Sequence, residues 1–123
     1  MTGTFRILVV EDDDTLRCAS ERLLRRQNHK TQSACNAQDA LEILKAQDQH
    51  FDAVLCDWKL PDFSGTDLLN AVRDIGIDTQ FIMVTGHYEA MMTLGKTGHF
   101  YNLLQKPYSM NNVLDLIPPQ TSA

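Results

Sequence analysis

The chain has 123 residues, 43% of them hydrophobic, which suffices for one globular domain with a single core and leaves no room for a second. Its formal charge of -5, with 11 scattered Lys and Arg against 16 Asp and Glu, forms no basic stripe of the kind that draws nucleic acid, so direct nucleic-acid binding is not expected. No uninterrupted apolar run approaches membrane-spanning length, and Met1-Thr2-Gly3-Thr4-Phe5 places no charged region ahead of an apolar stretch, so a cytoplasmic location without membrane attachment is expected.

The first strand is expected over Phe5 to Val10, followed by the acidic run Glu11-Asp12-Asp13-Asp14. A helix from Asp14 to Gln27 is predicted to carry Leu16, Ala19, Leu23 and Leu24 on its core face and Arg17, Glu21, Arg22, Arg25 and Arg26 toward solvent. Asp13 or Asp14 caps its start. A short second strand around Thr31 to Ala34 leads to a helix through Ala40, Leu41, Ile43 and Leu44 that Asn36 can cap. The third strand, Phe51 to Cys56, delivers Asp57. Pro61 and Gly65 punctuate the loop Trp58 to Ser64, and Leu68, Leu69 and Val72 give a third helix ending near Gly76.

The fourth strand, Gln80 to Val84, delivers Thr85. From Gly86 to Tyr101 the glycines at 86, 95 and 98 and the Met-rich composition predict a fourth helix that is short or irregular. Asn102 to Gln105 is a small fifth strand delivering Lys106, Pro107 breaks the chain, and Ser109 caps a last helix through Val113, Leu114, Leu116 and Ile117. Pro118-Pro119 ends the core of about 5–117, and 118–123 reads as a disordered tail of the single domain 1–123. Cys18, Cys35 and Cys56 lack C-x-x-C spacing and are expected to be small buried hydrophobes; His29, His50, His87 and His99 show no metal-ligand spacing.

Alternating strands and helices predict an α/β fold with a parallel sheet, and such sheets place chemistry at the carboxyl ends of their strands. Four of the five strands end in functional side chains: Glu11 and Asp12, Asp57, Thr85 and Lys106. Close carboxylates repel unless a cation or proton intervenes, and an all-oxygen set that retains waters suits Mg²⁺. Asp13 and Asp14 are assigned to starting the helix, where acids favour the N-terminal dipole. Trp58 is either a solvent-facing lid beside the site or a packing residue.

Ile7-Leu8-Val9-Val10-Glu11-Asp12, the loop from Asp57 to Gly65, Met83-Val84-Thr85-Gly86 and Lys106-Pro107-Tyr108 together resemble, in order and spacing, the receiver domain of bacterial two-component response regulators. The resemblance covers nearly the whole chain. It implies a flavodoxin-like, doubly wound, five-stranded parallel sheet of order 2-1-3-4-5 with helices on both faces. It also implies that Asp57 accepts a phosphoryl group from a sensor histidine kinase or a histidine phosphotransfer protein, in a phosphorelay dependent on Mg²⁺ (or Mn²⁺).

By the same resemblance the metal is held by Asp12, Asp57, Glu11 through a water, and the backbone carbonyl of Lys59. Lys106 and Thr85 bind the phosphoryl oxygens, and Lys59 and His87 tune phosphoryl lifetime. Leu103 stands where many receivers have the aromatic residue coupled to the switch threonine. Output through a downstream protein effector is implied, as is a monomer or a phosphorylation-dependent dimer that assists only its own phosphorylation and dephosphorylation and is otherwise no enzyme. The rival readings are a pseudo-receiver, which the loss of an acid, Asp57 or Lys106 would have favoured, and a Mg²⁺-dependent phosphohydrolase with an aspartyl nucleophile. Against the latter, Lys59 rather than a second carboxylate follows Asp57 by two positions.

Overall fold

A computed structural model of the chain describes residues 4–46, 50–86, 102–106 and 108–117. The expected irregular helix at 87–101, His87, the Pro107 break and the 118–123 tail lie outside the described residues. Five strands, β1 (Arg6–Val10), β2 (Lys30–Ala34), β3 (Ala53–Asp57), β4 (Gln80–Thr85) and β5 (Asn102–Gln105), form one parallel sheet in the order β2-β1-β3-β4-β5. Among the described residues there are four helices: α1 (Asp14–Arg26), α2 (Ala37–Ala46), α3 (Gly65–Asp74) and α4 (Met110–Asp115).

Side chains alternate across the sheet, so each central strand feeds two cores. Leu8, Val10, Val54, Cys56, Phe81 and Met83 meet α2 and α3 on one face. Ile7, Val9, Leu55, Ile82 and Val84 meet Leu24 of α1 and Val113 of α4 on the other. No helix among the described residues is long and apolar enough to cross a membrane.

The local stops and starts are chemical. Asp13 caps α1 by accepting from Leu16 N at 3.1 Å, and Asn36 caps α2 by accepting from Asp39 N at 2.7 Å. α1 ends where Asn28 turns into the left-handed region (φ 69°), with Asn28 N donating to Arg25 O and His29 N to Leu24 O. α3 ends in the same paired arrangement around Gly76 (φ 84°). Ser109 caps α4, which stops at Asp115 rather than continuing through Ile117. There Leu116 N and Ile117 N bond carbonyls only three residues back, tightening the last turn and tucking Ile117 into the core.

Two expectations are corrected. The core face of α1 is not Leu16, Ala19, Leu23 and Leu24: only Leu24 is buried, while Leu16 and Leu23 are 46% and 43% exposed. The Asp13 cap sets the helix phase so that Arg17, Ser20 and Leu24 lie inward. The hydroxyl of Ser20 meets the Tyr108 phenol, and a guanidinium nitrogen of Arg17 donates to Glu11 O at 2.9 Å. Of the cysteines only Cys56 is buried; Cys18 lies on the outer surface of α1 and Cys35 in the connection after β2, both exposed.

Candidate functional site

β1 is flanked by β2 on one side and β3 on the other, so the connections diverge between β1 and β3 and leave a crevice at their carboxyl ends. Val10 is level with Cys56 in that pair, which puts Glu11 and Asp57 side by side at the mouth of the crevice. Glu11 and Asp57 are buried and Asp12 is exposed, and one carboxylate oxygen from each lies within 4.8 Å of the others. The turn is held by the Arg17 bond to Glu11 O, by Glu11 N donating to Ala34 O and by Asp13 N donating to Glu11 Oε2 at 3.3 Å.

Lys106, immediately after β5, reaches across to place Nζ 2.9 Å from Asp57 Oδ2 and 3.3 Å from Glu11 Oε1. Burial works against its charge, but the bonds to Asp57 and Glu11 outweigh burial and raise its pKa. One ammonium does not balance three carboxylates. Burial first, and the neighbouring Asp57 second, push the Glu11 carboxyl up to about 7 despite Lys106. An all-oxygen cluster this close fits a hard divalent cation.

The loop after Asp57 folds back on the site. Trp58 N donates to Val84 O at 2.9 Å, Lys59 N to Asp57 Oδ1 at 3.1 Å and Gly65 N to Trp58 O at 2.7 Å, and Lys59 bridges Ser64. A Cβ on Gly65 would sit 2.7 Å from Met83 Sδ and 3.0 Å from Asp57 O, so the close return of the chain requires glycine. Trp58 is half-buried and donates from Nε1 to Thr66 Oγ1 at 3.2 Å, which makes it a packing residue against the first turn of α3. Ser64 and Asp67 form a capping box at that turn, a pattern readable from S-x-x-D ahead of Leu68 and Leu69 but not singled out above. Asp62, also missed, reaches the N-terminus of α2, accepting from Ala37 N and Gln38 N at 2.9 Å each; no local spacing signals bonds over 25 and 24 residues.

Thr85 closes β4, buried at 1% exposure, and its carbonyl accepts from Lys106 N at 2.8 Å. Gly86 is not needed for space, since a Cβ there meets nothing within 4 Å among the described residues. Leu103 is level with Met83 in the β4–β5 pair. The structure thus gathers Glu11, Asp12, Asp57 and Lys106 at one edge, with Lys59 and Thr85 on the adjoining backbone.

The family model of the response regulator receiver domain matches residues 7–118, and the chain belongs to that family. It is 32% identical to the response regulator protein PilR of Pseudomonas aeruginosa over 91% of this chain and 25% of that protein. It is 28% identical to the sensor kinase CckA of Brucella abortus over 92% of this chain and 12% of the kinase. A response regulator receiver domain protein from Clostridium thermocellum superposes with a TM-score of 0.81 at 27% identity, covering 92% of this chain and 90% of that one. The chain therefore spans a quarter or less of these two curated relatives and nearly the whole of the solved receiver. Receiver domains are generally signalling domains without enzymatic turnover of their own.

Proposed function

We propose that Asp57 is the phosphoacceptor of this receiver and that its phosphoryl donor is a phosphohistidine on a sensor kinase or a histidine phosphotransfer protein. A carboxylate oxygen of Asp57 attacks phosphorus, the P–N bond breaks, and the imidazole leaves with the electron pair, producing an acyl phosphate. Such a transfer needs positioning and charge neutralisation more than covalent help. Lys106, already 2.9 Å from Asp57 Oδ2, exchanges that contact for a phosphoryl oxygen. The Thr85 hydroxyl donates to another phosphoryl oxygen, and the added charge draws its loop inward.

Asp12, Asp57 and the Lys59 backbone carbonyl would hold Mg²⁺ or Mn²⁺ directly, and Glu11 through a bound water. Bound there, the cation supplies neutralisation of the phosphoryl oxygens. Lys59, exposed two residues beyond Asp57, and His87 gate the water that attacks the acyl phosphate and returns the carboxylate. Leu103 in the place of an aromatic residue leaves Thr85 to carry the switch without ring coupling. Output goes through contacts with a protein effector, in the cytoplasm, from a monomer or a phosphorylation-dependent dimer.

The observation that carries this reading is the Lys106 ammonium on Asp57, one of three clustered carboxylates. Acetyl phosphate with Mg²⁺, followed by intact mass, tests it. One phosphoryl adduct, absent in Asp57→Asn, is expected; no adduct would identify a pseudo-receiver, and turnover of diverse phosphate esters a hydrolase.

A further inference from the structure

The N-terminus of α2 carries backbone N–H groups that no preceding turn can satisfy. Asp39 N and Ala40 N are met locally by Asn36, through its side chain and its carbonyl. Ala37 N and Gln38 N are met from a distance: each donates to a different oxygen of Asp62, at 2.9 Å. Asp62 Oδ1 also accepts from Phe63 N at 2.9 Å. Desolvation works against the charged form, but the backbone donors outweigh it and hold the carboxyl below the ordinary range. A carboxylate on a helix N-terminus also meets the positive end of the helix dipole.

What the carboxylate holds matters more than the helix it caps. Asp62 sits in the middle of the 58–64 loop, whose inner side is fixed by Lys59 N on Asp57 Oδ1, by the Lys59–Ser64 bridge and by Gly65 N on Trp58 O. Its outer side is tied to the first turn of α2 by the Ala37 N and Gln38 N bonds. Resting on the phosphoacceptor reading above, we propose that Asp62 is a positioning residue for Asp57: seated on α2, it fixes the loop so that the Lys59 backbone joins Glu11, Asp12 and Asp57 as a preformed cation site. Three of the four donors come from strand ends that the sheet holds rigidly, whereas the Lys59 segment depends on this loop.

The test uses three variants of the intact chain: Asp62→Ala, Asp62→Asn, and Asn36→Ala, which removes the neighbouring α2 cap without touching the loop. Mg²⁺ half-saturation is read from the fluorescence of Trp58, the chain's one tryptophan, alongside thermal unfolding and the rate of labelling by acetyl phosphate. Asp62→Ala is expected to raise the half-saturating Mg²⁺ concentration by about tenfold, as loss of groups that orient metal ligands does. Labelling should slow in parallel at low Mg²⁺ and recover largely at saturation. Asp62→Asn, which keeps an accepting oxygen, should fall between, and Asn36→Ala should lower the melting temperature with half-saturation unchanged.

An Asp62→Ala protein that melts earlier but binds Mg²⁺ as the parent does would reduce Asp62 to a helix cap and overturn the proposal. So would Asn36→Ala and Asp62→Ala shifting half-saturation equally. If the parent chain takes no phosphoryl group, the phosphoacceptor reading fails while the Mg²⁺ titrations still decide the role of Asp62.

Discussion

The Lys106 ammonium lies 2.9 Å from one carboxylate oxygen of Asp57 and 3.3 Å from one of Glu11, bridging two buried acids at the ends of neighbouring strands. Removing it leaves both without their cation. Lys106→Met is expected to destabilise the metal-free fold by roughly 1–3 kcal/mol, since the desolvated carboxylates lose a partner. Mg²⁺ should return much of that stability while labelling by acetyl phosphate stays slow. Urea denaturation with and without Mg²⁺ checks the first part and intact mass the second.

Glu11 titrates against the sense of an ordinary stabilising carboxylate. Its folded pKa of about 7 lies above the usual 4.5, so the folded state binds the extra proton between those values. The stability gained from that proton is present below pH 4.5 and is lost as pH rises through 7. Glu11→Gln should therefore raise the metal-free melting temperature at pH 8, by about 1–2 kcal/mol in stability terms, with little change at pH 5. It should also shrink the stabilisation by Mg²⁺. Thermal unfolding in chelator and in Mg²⁺ measures both; a lower melting temperature in chelator at pH 8 would contradict the account.

His29 gives the protein a separate acid sensitivity. It is buried, stacked on Phe5 with ring centroids 5.3 Å apart, and its Nδ1 accepts from Phe5 N at 3.0 Å, which requires the neutral ring. Burial lowers its pKa from 6.5, so its contribution is present above that value and is lost as pH falls below it. Chemical denaturation between pH 7.5 and 5 should show a fall in stability that is smaller in His29→Gln.

Two glycines separate steric from conformational demand. Gly65→Ala must displace Met83 or the Asp57 and Trp58 backbone, and is expected to cost about 1–3 kcal/mol and to weaken Mg²⁺ binding. Gly76→Ala meets no atom but is held at φ 84°, so it should cost about 1–2 kcal/mol and leave Mg²⁺ affinity unchanged. Paired unfolding and Mg²⁺ titrations distinguish the two.

On α1, Leu24→Ala should cost about 2–5 kcal/mol, whereas Leu16→Ala and Leu23→Ala should stay within about 0.5 kcal/mol. A stability loss at Leu16 comparable to that at Leu24 would mean that the helix phase differs from the one seen.

The sheet was legible because apolar runs ending in Glu11, Asp57, Thr85 and Lys106 are local signals, and the strand order followed from the family those ends resemble. The α1 face was not. Counting leucines favoured Leu16 and Leu23, while the phase is set by the Asp13 cap and by polar inward partners, Ser20 with Tyr108 and Arg17 with Glu11 O. Asp62 escaped because its partners are 24 and 25 positions away, and only the packing of α2 beside the loop brings them together. The exposure of Cys18 and Cys35 depends on the same helix phase and on where the chain leaves β2.

The two charges that define the site differ in how firmly the fabric of the sheet grips them. Asp57 ends a strand bonded on both flanks, but Lys106 follows β5, an edge strand whose described pairing is to β4 alone. Displacing that margin of the sheet withdraws the ammonium and leaves the carboxylates where they are. The rim of this domain thus offers a mechanical handle on its charge balance, one that acts without any change at the acid that reacts.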